Sequence, residues 1–163
     1  MGEPLHMEGV LTFFYTHMQD YQSQAHVSWT CTYHIVIVPK YRKKVLYGQV
    51  KTSMGQILKT LCKQKGIDLV EGHLMPDHVH MVLSIPPKYS VADVLGFLKG
   101  KSAIKIHYEF SKKRKLLQQK SFWTRGYFVR TTGLDTQTVI EYVKNQLKLD
   151  QQIDNGQMEL KWD

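Results

Sequence analysis

Ile67–Ile85, IDLVEGHLMPDHVHMVLSI, decides the fold. Two apolar runs, Ile67–Met75 and His78–Ile85, flank Pro76-Asp77. Pro presets a turn dihedral and Asp bonds nearby backbone through its carboxylate, so the pair predicts a hairpin between two strands. Alternation along the second strand sends His78 and His80 to one face and Val79 to the other. Pro86-Pro87, unable to donate to a ladder, closes it.

Upstream, residues 49–65 place Val50, Met54, Ile57, Leu58 and Leu61 at helical spacing, and Gly66 supplies a stop. Before them, Ser28–Val38 (SWTCTYHIVIV) is rich in β-branched and aromatic residues and reads as one strand ended by Pro39, with a basic loop at 39–47. Downstream, Ser90 offers an N-cap and Asp93 suits the first turn of a helix continued by Val91, Val94, Leu95, Leu98 and Ile104, with Gly100 weakening its middle. Gly126–Thr132 reads as a short strand. Asp135 caps a last helix of roughly 136–149 whose Val139, Val143 and Leu147 face the core.

The order β-α-β-β-α-β-α predicts an α+β fold. Its first six elements match the ferredoxin-like, RRM-like split βαβ: an antiparallel sheet with helices on one face, here followed by a C-terminal helix. Residues 28–150 form the expected domain, after an N-terminal extension (1–27) of no assigned role and before a tail (151–163). Such a fold hosts many functions, so function must come from the site.

The chain carries 22 Lys and Arg against 14 Asp and Glu, a net +8 with a pI near 9.4. The excess gathers at Lys40, Arg42, Lys43 and Lys44, at Lys99, Lys101 and Lys105, at 112–115, and at Arg125 and Arg130, interleaved with Tyr41, Tyr108, Trp123, Tyr127 and Phe128. That pattern suits a polyanion with stackable bases, although a solvated basic surface would look the same. Lys40, Arg42, Lys43, Lys44, Lys101, Arg125 and Arg130 are candidate phosphate contacts on charge alone. Trp123 and Tyr127 fit base stacking or core packing equally. Two cysteines, Cys31 and Cys62, make neither a disulfide framework nor a CxxC site and read as small buried residues. No apolar run is long enough to span a bilayer and no signal peptide is evident, so the expected location is the cytoplasm.

His78 and His80, projecting together, can share a metal ion. With 8 His in the chain, chance alone supplies about 0.4 His-x-His pairs, so the motif is weak by itself. Tyr142 and Gln146 lie one turn apart on one face of the last helix, beside the apolar stripe. A half-buried Tyr next to a surface Gln is the plain reading. A Gln carbonyl is also a competent ligand for a hard cation, and a tyrosyl oxygen a competent nucleophile. Together they propose an ion held by His78, His80 and Gln146, and an in-line attack by Tyr142 on a phosphodiester, leaving a 5′-phosphotyrosine and a free 3′-OH. Asp77 is expected to serve the turn, and His34 and His73 to be ordinary sheet residues.

Tyr33–Leu46 (YHIVIVPKYRKKVL), Glu71–Leu83 (EGHLMPDHVHMVL), Val94–Ile104 (VLGFLKGKSAI), Phe122–Thr132 (FWTRGYFVRTT) and Val139–Leu147 (VIEYVKNQL) together resemble the HUH-type single-tyrosine transposases of the insertion-sequence 200/605 family over roughly residues 28–150. The resemblance implies that His78, His80 and Gln146 are metal ligands and Tyr142 the nucleophile. It implies Mg²⁺ or Mn²⁺ as cofactor, single-stranded DNA with subterminal hairpins as substrate, and a homodimer with composite active sites. Three other readings account for part of the chain. A non-catalytic nucleic-acid-binding module leaves the two His, the Tyr and the Gln as coincidences. A replication initiator or relaxase usually needs a longer chain. A domesticated relative acting on genomic repeats is poorly separated by sequence.

Overall fold

The computed structural model describes residues 22–24, 27–110, 121–133, 137–138, 140–145 and 148. Expectations for residues 1–21, for the basic run at 112–115, for Val139, Gln146 and Leu147, and for the tail fall outside them. The chain divides into two compact units, Met1–Thr30 and Cys31–Asp163. The first holds an antiparallel pair, β1 (Gln22–Gln24) and β2 (Val27–Trp29), with Gln22 opposite Trp29.

The single strand expected over 28–38 is two strands. β2 stops at Trp29 and β3 runs Thr32–Ile37. The break falls where the backbone changes partner, because β2 pairs with β1 whereas β3 joins a four-stranded sheet.

That sheet runs in the order β4-β5-β3-β6, every neighbour antiparallel, with β4 at Asp68–Leu74, β5 at Val79–Ser84 and β6 at Phe128–Thr131. The first and third strands of the split βαβ are therefore central, and the ferredoxin-like expectation holds. Helix α1 (Gly48–Lys65) follows β3, and α2 (Val91–Phe110) follows β5. From the sheet, Ile35, Ile37, Val79, Met81 and Leu83 face the helices. There they join Val50, Met54, Leu58 and Leu61 of α1 and Val94, Leu95, Leu98 and Ile106 of α2 in one buried cluster. Alternation then obliges His34, Val36, His80 and Val82 to occupy the opposite face, open only so far that Val36 and His80 are half-buried while His34 and Val82 are buried.

Local chemistry fixes the helix ends. Gly66 adopts φ +70, and its N–H returns to Lys63 O at 3.2 Å. At the start of α2, the Asp93 N–H donates to Ser90 Oγ at 3.0 Å while the Ser90 hydroxyl donates to Asp93 Oδ2 at 2.7 Å. The N-cap expected at Ser90 is therefore present, and the bond from its hydroxyl to Asp93 adds to it.

Helix α2 passes through Gly100 without a break and continues to Phe110, beyond the last apolar residue expected for it. Ile104 lies about two-thirds of a turn round from Leu98 and is 65% exposed. Ser102 takes the inward position instead, accepting a hydrogen bond from the Trp123 indole N–H at 2.9 Å. Trp123 is thereby a buried core residue, unavailable for base stacking. Cys62 is buried and its thiol pushed up to about 11, which makes it inert, whereas Cys31 is only half-buried.

Burial separates Leu98 from Ile104 cleanly. Leu98→Ala should lower unfolding stability by about 2–5 kcal/mol in urea titrations. Ile104→Ala should change it by less than about 0.5 kcal/mol. Equal effects would mean that the helix is rotated from the face described.

Candidate active site

The Pro76-Asp77 turn is tight: the Met75 N–H donates to His78 O at 2.8 Å across it. His78 stands at the mouth of β5 and His80 two residues in. Their Nε2 atoms approach to 3.1 Å. Imidazole nitrogens bind divalent metals at about 2.0–2.1 Å, so two ligands at right angles around one ion stand about 3 Å apart. The pair has the separation a shared ion requires.

The opposite nitrogen of each ring is occupied. His78 Nδ1 lies 2.6 Å from Asp77 Oδ1, a carboxylate that can only accept, so the proton sits on Nδ1 and the Nε2 lone pair can point at its neighbour. His80 Nδ1 lies 3.0 Å from His34 Nε2, the rings nearly coplanar at an interplanar angle of 14°. Burial holds His80 neutral, pushing it down to about 4, aided by the neighbouring His78, His34 and His73. Burial and the Arg130 charge lower His34 as well. A His80 ring protonated on Nε2 donates to His78 across the 3.1 Å gap; one protonated on Nδ1 donates to His34 and turns its Nε2 lone pair toward that of His78, the arrangement that two nitrogen ligands of one ion need.

Asp77 is more than a turn residue. Burial alone would raise its pKa, but hydrogen bonds and charges from His78 and Arg42 outweigh that and hold the carboxyl below its usual range. The Arg42 guanidinium donates to Asp77 Oδ2 at 3.0 Å. The backbone of the basic loop closes on the same turn, with the Val45 and Leu46 N–H groups both donating to Pro76 O at 3.0 and 3.1 Å. Tyr41 and Arg42 adopt positive φ of 60 and 50, a conformation that costs non-glycine residues of order 1 kcal/mol each and that turns Arg42 onto Asp77.

His34 corrects a second expectation, since its Nε2 meets His80 Nδ1 and holds that ring. Its role was accessible from sequence only through the strand order: Ile35 and Ile37 face the core, and a split βαβ sets the first strand beside the third. His73 sits opposite His80 in the β4–β5 register, yet its Nε2 lies 2.7 Å from Glu71 Oε1 of its own strand, off the N–H axis. Among the described residues no cluster of three or more His, Cys, Asp and Glu side chains could enclose a metal. Gln146, the third ligand expected, lies outside the described residues.

Residues 140–145 are helical and carry Tyr142, 53% exposed, while Val143 is buried as anticipated. Lys144 on this helix reaches Glu71 Oε2 at 3.8 Å. An ion pair this exposed contributes little stability. It does locate the helix against the open face, the same face that holds His80.

The basic candidates divide. Arg42 and Arg130 adjoin the histidines, Arg130 opposite His34 in the β3–β6 register. Lys40 and Lys43 flank the exposed Tyr41 ring at 5.2 and 5.8 Å, on the loop with Lys44. Lys101 belongs to the helix layer on the far side of the sheet, and Arg125 to a loop tied to that layer. Lys99 makes the tie, its ammonium donating to Arg125 O at 2.7 Å and Gly126 O at 2.9 Å, with burial lowering its pKa. Charge alone did not single out Lys99. Tyr127 lies over that ammonium at 5.8 Å.

The described residues thus set His78 and His80, each ring held at its second nitrogen, on the sheet face that the helix carrying Tyr142 approaches. The chain is a member of the IS200-like transposase family: the family pattern described as Transposase IS200 like matches residues 27–146. It is 42% identical over 133 residues to the transposase for insertion sequence element IS200 of Salmonella typhimurium, covering 82% of this chain and 88% of that one. It is 31% identical over 115 residues to the ISDra2 transposase TnpA of Deinococcus radiodurans, covering 70% and 82%. A crystal structure described as a candidate transposase from Deinococcus radiodurans R1 superposes with a TM-score of 0.61 at 30% identity, covering 77% of this chain and 96% of that one. A REP-associated tyrosine transposase bound to a REP hairpin superposes at 0.54 over 84% and 76%, and at 10% identity it speaks for the fold alone. Family membership makes the chain a DNA transposase, an enzyme that cuts and rejoins DNA. Among the described residues no helix is long and apolar enough to cross a membrane.

If Asp77 and His34 orient the pair, Asp77→Ala and His34→Ala should each weaken Mn²⁺ binding by about 10- to 100-fold in calorimetric titrations. Affinities within about twofold of the unmodified chain would contradict that role.

Proposed function

We propose that this transposase cleaves and rejoins single-stranded DNA at the ends of an insertion sequence through a 5′-phosphotyrosine on Tyr142, with a divalent ion, Mg²⁺ or Mn²⁺, held by His78, His80 and Gln146. The observation that carries the reading is the pair of Nε2 atoms 3.1 Å apart, each ring held at its other nitrogen.

The chain's own residues account for most of the chemistry. Asp77 holds the proton on His78 Nδ1, and Arg42 holds Asp77. His34 does the equivalent for His80. Bound between the histidines, the ion would offset negative charge on a non-bridging phosphate oxygen. The Tyr142 oxygen attacks phosphorus in line and gives its proton to solvent. The bond from phosphorus to the upstream 3′-oxygen breaks, and that oxygen leaves as a 3′-OH after taking a proton. One phosphoester bond replaces another, so a 3′-OH can reverse the step and join strands without ATP.

Arg42 and Arg130 suit phosphates on either side of the scissile one, and the basic loop at 39–47 suits a folded DNA backbone such as a subterminal hairpin. A homodimer in which the tyrosine helix of one subunit serves the histidines of the other completes the proposal.

Tyr142→Phe should eliminate covalent protein–DNA adducts on denaturing gels while leaving hairpin binding within about twofold, since only the nucleophilic oxygen is lost. EDTA, or His80→Ala, should also abolish the adduct; cleavage unaffected by EDTA would overturn the metal role.

Mixing Tyr142→Phe subunits with His80→Ala subunits tests the composite site. Heterodimers with the tyrosine acting in trans regain one site with both groups intact, so activity should return in the mixture. No recovery in verified heterodimers would place each tyrosine with its own subunit's histidines.

A further inference from the structure

We propose that Phe128 is a stacking platform for the base next to the scissile phosphate, with Arg130 holding the following phosphate. The position of the scissile phosphate rests on the strand-transfer reading above.

Phe128 lies on β6 directly opposite Val36, which lies opposite His80, which lies opposite His73. These four residues form a single row across the open face. Neighbouring strands stand about 4.8 Å apart, which puts Phe128 about 10 Å from His80 along the sheet. Its ring meets His34 at 6.0 Å between centroids, His34 meets His80 at 5.3 Å, and His80 meets His78 at 4.8 Å. An unbroken line of rings therefore leads from the metal pair to Phe128.

The ring is 54% exposed although it sits at the end of that line. Isolated apolar residues are common on protein surfaces and mean little alone. Phe128 differs in its company. Arg130, two residues on, shares its face and stands opposite His34, whereas Val129 between them points toward the helices opposite Ile35. An exposed aromatic ring and a guanidinium alternating along one strand beside a phosphodiester-cleaving centre offer a base face and a phosphate contact in succession. That combination recognises single-stranded nucleic acid. Duplex DNA keeps its base faces stacked and could not use it.

The site should therefore favour an unpaired base at one position beside the cut, and should tolerate any base there because every base has a π-face. Other exposed aromatics are placed differently: Tyr127 lies over Lys99 on the helix side, Tyr41 projects from the basic loop, Tyr47 precedes α1 and Tyr108 lies on α2.

The test scans 2-aminopurine, whose fluorescence is quenched by stacking, through single-stranded oligonucleotides from the ends of the element. Binding is read in Tyr142→Phe protein so that no strand is cut, and the cleavage position is mapped with the unmodified chain on the same oligonucleotides. Quenching should peak at the nucleotide flanking the cut, disappear in Phe128→Ala and return in Phe128→Trp. Phe128→Ala should weaken binding by about tenfold, and an abasic nucleotide at that position should weaken the Phe128 protein but not the Ala variant. Quenching unchanged in Phe128→Ala, or an abasic penalty equal in both proteins, would overturn the proposal while leaving the strand-transfer reading intact. If the unmodified chain forms no adduct, Phe128-dependent quenching at one fixed position would still establish the stacking site, and its absence would overturn it.

Discussion

The site depends on the double pairing of β5. That strand is hydrogen-bonded to β3 on one side and β4 on the other, and Val79, Met81 and Leu83 are locked into the core. Side chains on a strand alternate, so this packing leaves His80 no alternative to the open face. A slip of one residue would bury the imidazole and expose Met81 and Leu83. The cost of desolvating those apolar side chains in reverse, about 1.5–3 kcal/mol each, makes the register far more secure than any hydrogen bond at the site could. The placement of the histidine pair is a consequence of hydrophobic patterning.

On that foundation rest two short relays of opposite character. Arg42, Asp77 and His78 form a charged relay at the turn, built from one exposed cation and one carboxylate held ionised. His34 and His80 form a neutral relay within the sheet, kept uncharged by burial, with Arg130 reinforcing that state. The two meet where His78 Nε2 and His80 Nε2 lie 3.1 Å apart. The first relay ties the histidine pair to the basic loop, so a phosphate engaging Arg42, as proposed, would compete for the group that holds Asp77. The second ties it to β6, where Phe128 and Arg130 stand. The contacts proposed for DNA and the contacts that prepare the histidines therefore share residues.

Much of this was legible in the sequence because it rests on period and turn chemistry. The hairpin at Pro76-Asp77, the Gly66 stop, the Ser90 cap and the sheet order followed from local rules, and so did the shared face of His78 and His80. Long-range consequences were harder to read. Asp77 looked like a turn residue because nothing local reveals that Arg42, 35 residues away, reaches it. His34 looked ordinary because its partner lies 46 residues on, across a strand pair set by topology. Trp123 looked ambiguous until Ser102 supplied its acceptor. Ile104 belongs to α2 as read, but the unbroken helix keeps its inward stripe in phase from Leu98 to Ser102 and Ile106 and turns Ile104 outward. Tyr142 and Gln146 stood out by their one-turn spacing, and the likeness of the whole chain to a family agreed with that reading.

The most direct measurement is peptide mapping of the covalent adduct. The chain would be incubated with single-stranded DNA from its element ends and Mn²⁺, digested with nuclease and trypsin, and analysed by mass spectrometry. The account predicts a nucleotide joined through its 5′-phosphate to the peptide of residues 131–144, on Tyr142, and none when EDTA is present. An adduct on another residue, with Tyr127 the nearest rival in sequence, or one formed equally well in EDTA, would contradict it.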